Sequence, residues 1–164
     1  LWFCPPKRAI LFLKDLHIPK SLKKEQKKTT FKFTINTAFQ DVINQCALSD
    51  KRSTGPGTWI TPQMIESYTK LHKKGFVYSV ETWDDKELVG GFYGVHIGNM
   101  WAGESMFYLK PNASKLAFLF FAENLKEKGI EWIDCQQLTD TFKNFGAKLI
   151  DRSEFLKILS IMIK

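Results

Sequence analysis

The sequence predicts an α+β domain built on one mostly antiparallel sheet. Three observations lead there. Between residues 61 and 150 the apolar periodicity switches in the order helix, three strands, helix, strand, helix, strand. The three adjoining strand runs are separated by tight-turn pairs, Asp84-Asp85 and Gly98-Asn99, so they fold back on one another. And 164 residues suffice for one ordinary domain but not for two.

Taken in order, Arg8–Leu13 is apolar enough for a strand. Pro19 opens a short helix to about Glu25 that carries Lys20, Lys23 and Lys24 on neighbouring turns, with Lys27 just after it. Phe31, Phe33 and Ile35 alternate with polar residues, as a half-buried strand does. Asn36 is placed to cap a helix to about Cys46, with Phe39, Val42, Ile43 and Cys46 inward. Ser49 to Gly57 reads as a polar loop, the most mobile segment expected. Thr61-Pro62 starts a helix that Gly75 ends. Strands follow at 76–83, 86–97 and 99–108. Pro111-Asn112 then begins a helix closed by Gly129. A strand over Glu131–Gln136, a helix near Leu138–Phe145, a strand over Ala147–Ile150 and a helix from about Ser153 complete the chain. This is the element order of the acyltransferase superfold that includes the Gcn5-related N-acetyltransferases.

Composition narrows the function classes. Hydrophobic residues make up 44% and charged residues 25%, as in soluble globular proteins. No apolar run reaches the roughly 18 residues that cross a membrane. Three scattered cysteines, Cys4, Cys46 and Cys135, form neither a disulfide framework nor a CxxC pair, which points to a cytoplasmic protein. The opening LWFCPPKR is too short and proline-rich for a signal peptide. His17, His72 and His96 lack metal-ligand spacing, so no metal site is expected. Charge is unevenly placed: residues 1–33 hold nine cations against two anions, the whole of the net +7. A cationic segment 1–33 leading into a balanced core at 34–159 suits polyphosphate, through Lys20, Lys23, Lys24, Lys27, Lys28 and Lys32. Taken alone, the run fits RNA, DNA, an anionic membrane or a merely solvated helix.

Several stretches look unlike ordinary core. In GESMF, strand alternation sets Trp101, Gly103, Ser105 and Phe107 on one face and Ala102, Glu104, Met106 and Tyr108 on the other. Glu104 beside an apolar wall then needs a cation or a donor; a sheet-edge pair with lysine and a substrate ammonium both satisfy it. In IDCQ, Asp134 and Gln136 share a face at a strand end, where they serve either as reactive groups or as a cap for the next helix. Cys135 reads as core. LVGGFYGV has Gly90, Gly91 and Gly94 inside a strand, which marks a bulge or the close approach of a ligand. No helix follows, so it is no dinucleotide loop. The position preceding the 112–128 helix reads LKPNASK, without the glycine-rich pyrophosphate loop of acetyl-CoA enzymes.

GTWI (Gly57–Ile60), SVETW (Ser79–Trp83), LVGGFYGV, GESMF, NASK (Asn112–Lys115), IDCQ and the opening Trp2–Leu11 together resemble the leucyl/phenylalanyl-tRNA–protein transferase family in order and spacing. The resemblance runs from about Trp2 to Leu159, with the family's N-terminal segment shortened or absent. It implies a Gcn5-related N-acetyltransferase-like fold and a single aminoacyl-transferase domain over 1–164. It further implies that Leu or Phe moves from aminoacyl-tRNA to the α-amine of acceptor proteins beginning with Arg or Lys, marking them for N-degron degradation. It assigns Glu104, Asp134 and Gln136 to transfer, with Asp134 behind Gln136. Trp101, Met106, Phe118, Phe121, Ile133 and Phe92 become the aminoacyl pocket, Trp59 and Tyr68 the surround of the 3′-terminal adenosine, and the six lysines the acceptor-stem contact. The wall residues Trp101 and Phe118 are bulkier than usual for the family, and Thr139 replaces an amide. Rival readings are an acetyl-CoA-dependent or peptidoglycan-bridge acyltransferase on the same superfold, or a non-catalytic tRNA-binding module.

Overall fold

A computed structural model of the protein describes residues 5–54 and 58–162. Cys4, the Trp2 end of the opening motif and Gly57 of GTWI lie outside them. Seven strands form one sheet in the order β2-β3-β4-β5-β6-β1-β7. They are β1 (Lys7–Phe12), β2 (Lys32–Ile35), β3 (Val77–Asp84), β4 (Glu87–Ile97), β5 (Met100–Tyr108), β6 (Trp132–Gln136) and β7 (Lys148–Asp151). The helices are α1 (Lys20–Gln26), α2 (Phe39–Thr54), α3 (Pro62–Lys73), α4 (Ala113–Glu127), α5 (Asp140–Asn144) and α6 (Arg152–Met162), with a 3-10 turn at Leu13–Asp15. Every strand pair is antiparallel except β5 with β6, which the α4 crossover makes parallel.

The sheet is covered on both faces. On one, α4 lays Leu116, Phe118, Leu119, Phe121 and Leu125 over Ala9, Leu11, Phe92, Trp101 and Ile133. α4 is apolar nearly all round, as a helix buried on most sides must be. On the other, α2 packs Phe39, Val42, Ile43 and Cys46 against Val77, Tyr93 and Phe107, and α6 sets Phe155 against Ile10, Trp132 and Ile150. Successive residues of β1 divide between the two faces, Ala9 and Leu11 to one and Ile10 to the other.

Two local expectations change. The helix α2 runs on to Thr54, past the loop expected from Ser49, because the helix breakers begin only at Gly55 and Pro56. Asn36 is not its cap. It takes a left-handed turn (φ 60°) and accepts the Ser79 N–H instead. The α2 start is held by buried Glu81 of the SVETW stretch, whose carboxylate accepts from Ser79, Thr34 and Thr37 hydroxyls at 2.5, 2.6 and 2.9 Å and from the Ala38 N–H at 3.4 Å. The glycines of LVGGFYGV keep the bulge reading: register shifts fall beside Gly90 and Gly94, and chain atoms occupy the space over all three. A Cβ at Gly90 would lie 2.6 Å from the Ala113 side chain, and one at Gly94 would strike the Trp101 indole at 2.5 Å.

Candidate active site

The site grows from two irregular strand segments. Between β4 and β5, Tyr93 pairs with Ser105 and Gly94 with Gly103, which leaves Glu104 as the extra residue of a bulge. The bulge corrects the strict alternation expected for GESMF. It flips the parity of β5 midway, so Trp101 and Met106 both join the α4-side core, while Phe107 turns to the α2 side. Between β1 and β6, Ala9 pairs with Gln136 and Ile10 with Asp134, so Cys135 is skipped. Gln136 then takes a left-handed backbone (φ 59°), which costs an L-residue of this kind about 1 kcal/mol or more.

Both distortions serve one contact. The Gln136 side-chain N–H donates to the Gly103 carbonyl at 2.7 Å, and Gln136 and Glu104 line the same cavity. Tyr68 of α3 lies near Glu104 and rests edge-on against Tyr93 at 5.2 Å. With an amide hydrogen so engaged, the Gln136 carbonyl oxygen is an acceptor available to the cavity. Burial raises the Glu104 pKa above the ordinary carboxylate range. The Tyr68 and Gln136 donor groups pull it down, Asp134 pushes it up and Arg8 pulls it down. A neighbouring lysine, one of the two partners the sequence allowed, does not pair with it among the described residues.

Asp134 stands behind Gln136, but its hydrogen bond runs to the Gln136 backbone N–H (2.9 Å) and not to the side-chain amide. It is 2% exposed, and Arg8 grips both its oxygens at 2.7–2.9 Å. The Phe155 ring lies 5.1 Å from the Arg8 guanidinium. Arg8 therefore fixes Asp134, which fixes the strained turn of Gln136. The sequence carried no sign of this, because Arg8 and Asp134 are 126 residues apart.

In front of this cluster lies a cavity of about 560 Å3, of ordinary small-ligand size. Phe92, Trp101, Met106, Phe118 and Ile133 form its apolar walls, Glu104 and Gln136 its polar end, and Trp59, 44% exposed, its rim. Phe121 is corrected from wall to backing: it sits behind Phe92 and Trp101, with ring centroids 5.5 and 4.5 Å away, and does not line the space. Tyr68 likewise reaches the site through Glu104 rather than as a wall. Residues not anticipated are Tyr93, Ser105, Thr141 and Phe142. Phe142 stands on Phe118 at 5.4 Å, a contact that its place in a five-residue helix did not advertise. Thr139 lines the cavity and caps α5. Cys135 also borders it, with burial pushing its thiol up to about 12, far from a thiolate nucleophile at neutral pH.

At the approach to α4 the Leu109 and Lys110 N–H groups donate to the Val89 carbonyl and that of Ala113 to Lys110, so these three are not available to the pyrophosphate of acetyl-CoA. Among the described residues no three His, Cys, Asp or Glu side chains gather to hold a metal. The six lysines are all exposed: three on α1, Lys27 at its end, Lys28 in the following turn and Lys32 on β2. No helix among the described residues is long and apolar enough to cross a membrane.

An apolar cavity closed by a carboxylate and a carboxamide is a candidate site, and comparison with known proteins decides the family. The profile described as leucyl/phenylalanyl-tRNA protein transferase matches residues 10–160. The chain belongs to the leucyl/phenylalanyl-tRNA–protein transferase family. The transferase of Lawsonia intracellularis is 47% identical over 99% of this chain and 71% of its own length. That of Legionella pneumophila strain Corby is 46% identical over 100% and 72%. The fold agrees with the acyltransferase superfold. A predicted acetyltransferase with acetyl-CoA from Clostridium acetobutylicum superposes with a TM-score of 0.57 at 10% identity, covering 75% of this chain and 93% of that one. The chain is thus an enzyme, an aminoacyltransferase on a Gcn5-related fold.

Proposed function

We propose that this enzyme transfers leucine or phenylalanine from aminoacyl-tRNA to the α-amine of acceptor proteins that begin with Arg or Lys, which marks them for N-degron degradation in the cytoplasm. The observation that carries the reading is that Glu104 and Gln136 together line the polar end of the apolar cavity. The aminoacyl side chain enters among Phe92, Trp101, Met106, Phe118 and Ile133. A Cβ-branched side chain is disfavoured by the narrow walls, though methyl-scale contacts give only about 10–200-fold discrimination. Glu104 holds the ester's α-ammonium. Trp59 at the rim stacks on the terminal adenosine, and the six lysines hold the acceptor stem.

The reaction is aminolysis. The acceptor's neutral α-amine attacks the ester carbonyl carbon and a C–N bond forms. The bond from that carbon to the tRNA 3′-oxygen breaks, and the proton lost by the amine ends on that oxygen. The Gln136 carbonyl oxygen accepts a hydrogen bond from the attacking amine and aims it. The ester is already activated, so positioning supplies much of the acceleration. Radiolabelled Phe-tRNA or Leu-tRNA incubated with a protein whose first residue is Arg should label that protein. Gln136→Ala should keep tRNA affinity while cutting transfer by about 100-fold or more. Label appearing at the wild-type rate in the variant removes Gln136 from the reaction, and no label with the wild-type chain removes the function.

A further inference from the structure

A second, smaller cavity joins the cationic helix to the reaction cavity, and the proposed chemistry leaves it unused. It measures about 150 Å3 and is lined by Ser21 and Leu22 of α1, Asn112 and Lys115 at the start of α4, and Thr141 and Asn144 of α5. Five of these side chains can donate hydrogen bonds. Among the described residues none of the five side-chain groups has a hydrogen-bond or ion-pair partner, and no carboxylate lines the space. Lys115 is half-buried. It thus borders a space lined by neutral donors and by no carboxylate, which suits an anion.

Its position names the anion. Ser21 follows Lys20 and precedes Lys23 and Lys24 on α1, all exposed. Thr141 lines both cavities. A polynucleotide resting on α1 with its 3′ end in the reaction cavity passes this point, and its phosphodiester oxygens are the acceptors that the five donors lack. We propose that the small cavity is a phosphate subsite for the single-stranded 3′ end of tRNA, with Lys115 as its cation and Ser21, Asn112, Thr141 and Asn144 as neutral donors. The inference rests on the tRNA-dependent reading and adds a named contact to it. It also gives the NASK stretch a division of labour. Asn112 makes the left-handed turn into α4, Ala113 fits under Gly90, and Lys115 serves the phosphate.

The test is equilibrium binding of the 164-residue chain and its Lys115→Gln and Asn144→Asp variants to the trinucleotide CpCpA, to adenosine and to inorganic phosphate. Lys115→Gln should weaken CpCpA about tenfold and lower its salt slope by about one. Asn144→Asp, which sets a carboxylate in the cavity, should weaken it at least as much. Adenosine, with no phosphate, should bind all three proteins alike, which also reports that the variants are folded. Inorganic phosphate should compete with CpCpA in the wild type and lose that effect in Lys115→Gln. Unchanged CpCpA affinity in both variants, a parallel loss of adenosine binding, or phosphate that binds without displacing CpCpA would each overturn the subsite. Transfer is assayed separately, so a chain that transfers nothing refutes the enzyme reading while the binding data still judge the cavity.

Discussion

At Glu104 two demands conflict. The proposed reaction needs a carboxylate there to hold the ester's α-ammonium, while burial favours the protonated form. A carboxyl whose folded pKa is raised binds its proton more tightly in the native state than in the unfolded chain. Stability therefore falls as pH rises from the ordinary carboxylate pKa through the raised one, and the loss is complete above it. Glu104→Gln removes that loss, so its Tm at neutral pH should exceed the wild type's, by about 2–4 °C for each kcal/mol recovered, while transfer drops by about 100-fold. A variant no more stable than wild type in thermal denaturation would refute this. Activity should fall on the acid side with a midpoint above the usual carboxylate value. Tyr68→Phe deletes a donor that lowers the Glu104 pKa, so its acid limb should lie at higher pH still; an unmoved limb would mean that another group titrates. Arg8 and Asp134 make a sharper case. Arg8→Met strands an almost fully buried carboxylate and should cost about 3–5 kcal/mol in urea unfolding. Adding Asp134→Asn should recover much of it, and a strictly additive double variant would show that the pair is not coupled.

Elements place these residues by their irregularities. The β5 bulge sets Trp101 and Met106 on one face, and without it Glu104 would fall on the face of Met106. β4 supplies the glycines that let Trp101 lie across Gly94 and α4 close on Gly90. Gly90→Ala should therefore push α4 off the sheet and cost about 1–3 kcal/mol; unchanged denaturant midpoints would mean that α4 shifts freely. The helix signals at Thr61-Pro62, Gly75 and Gly129 were legible because caps and stops depend on neighbouring residues alone. Bulges were not, since an unpaired residue exists only relative to a partner strand. The cap on α2 escaped for the same reason: Glu81 lies more than 40 residues from the N–H groups it holds.

Over the whole molecule, β1 is the keystone. It lies between β6 and β7, so the N-terminal strand ties β7 to the sheet and carries Arg8 to Asp134. Together with the segment just after it, within residues 1–33, it carries the whole net charge, which gives the enzyme one cationic flank and a neutral body. Substituting Lys23, Lys24, Lys27 and Lys28 by Ala should weaken tRNA binding and reduce its salt slope by as much as about 3 to 4. Affinity that tracks the wild type across the salt series would detach the flank from tRNA.

Element order, the antiparallel run from β3 to β5 and the cationic segment follow from the sequence alone, because periodicity, turn chemistry and composition are local properties of the chain; the wall residues came only through the family resemblance. Which strand neighbours β6, which residue bulges, which aromatic lines the cavity and which stands behind it, and that Arg8 holds Asp134 were decided by the tertiary structure. Each depends on atoms brought together from distant positions, where packing and the need to pair buried polar groups override alternation.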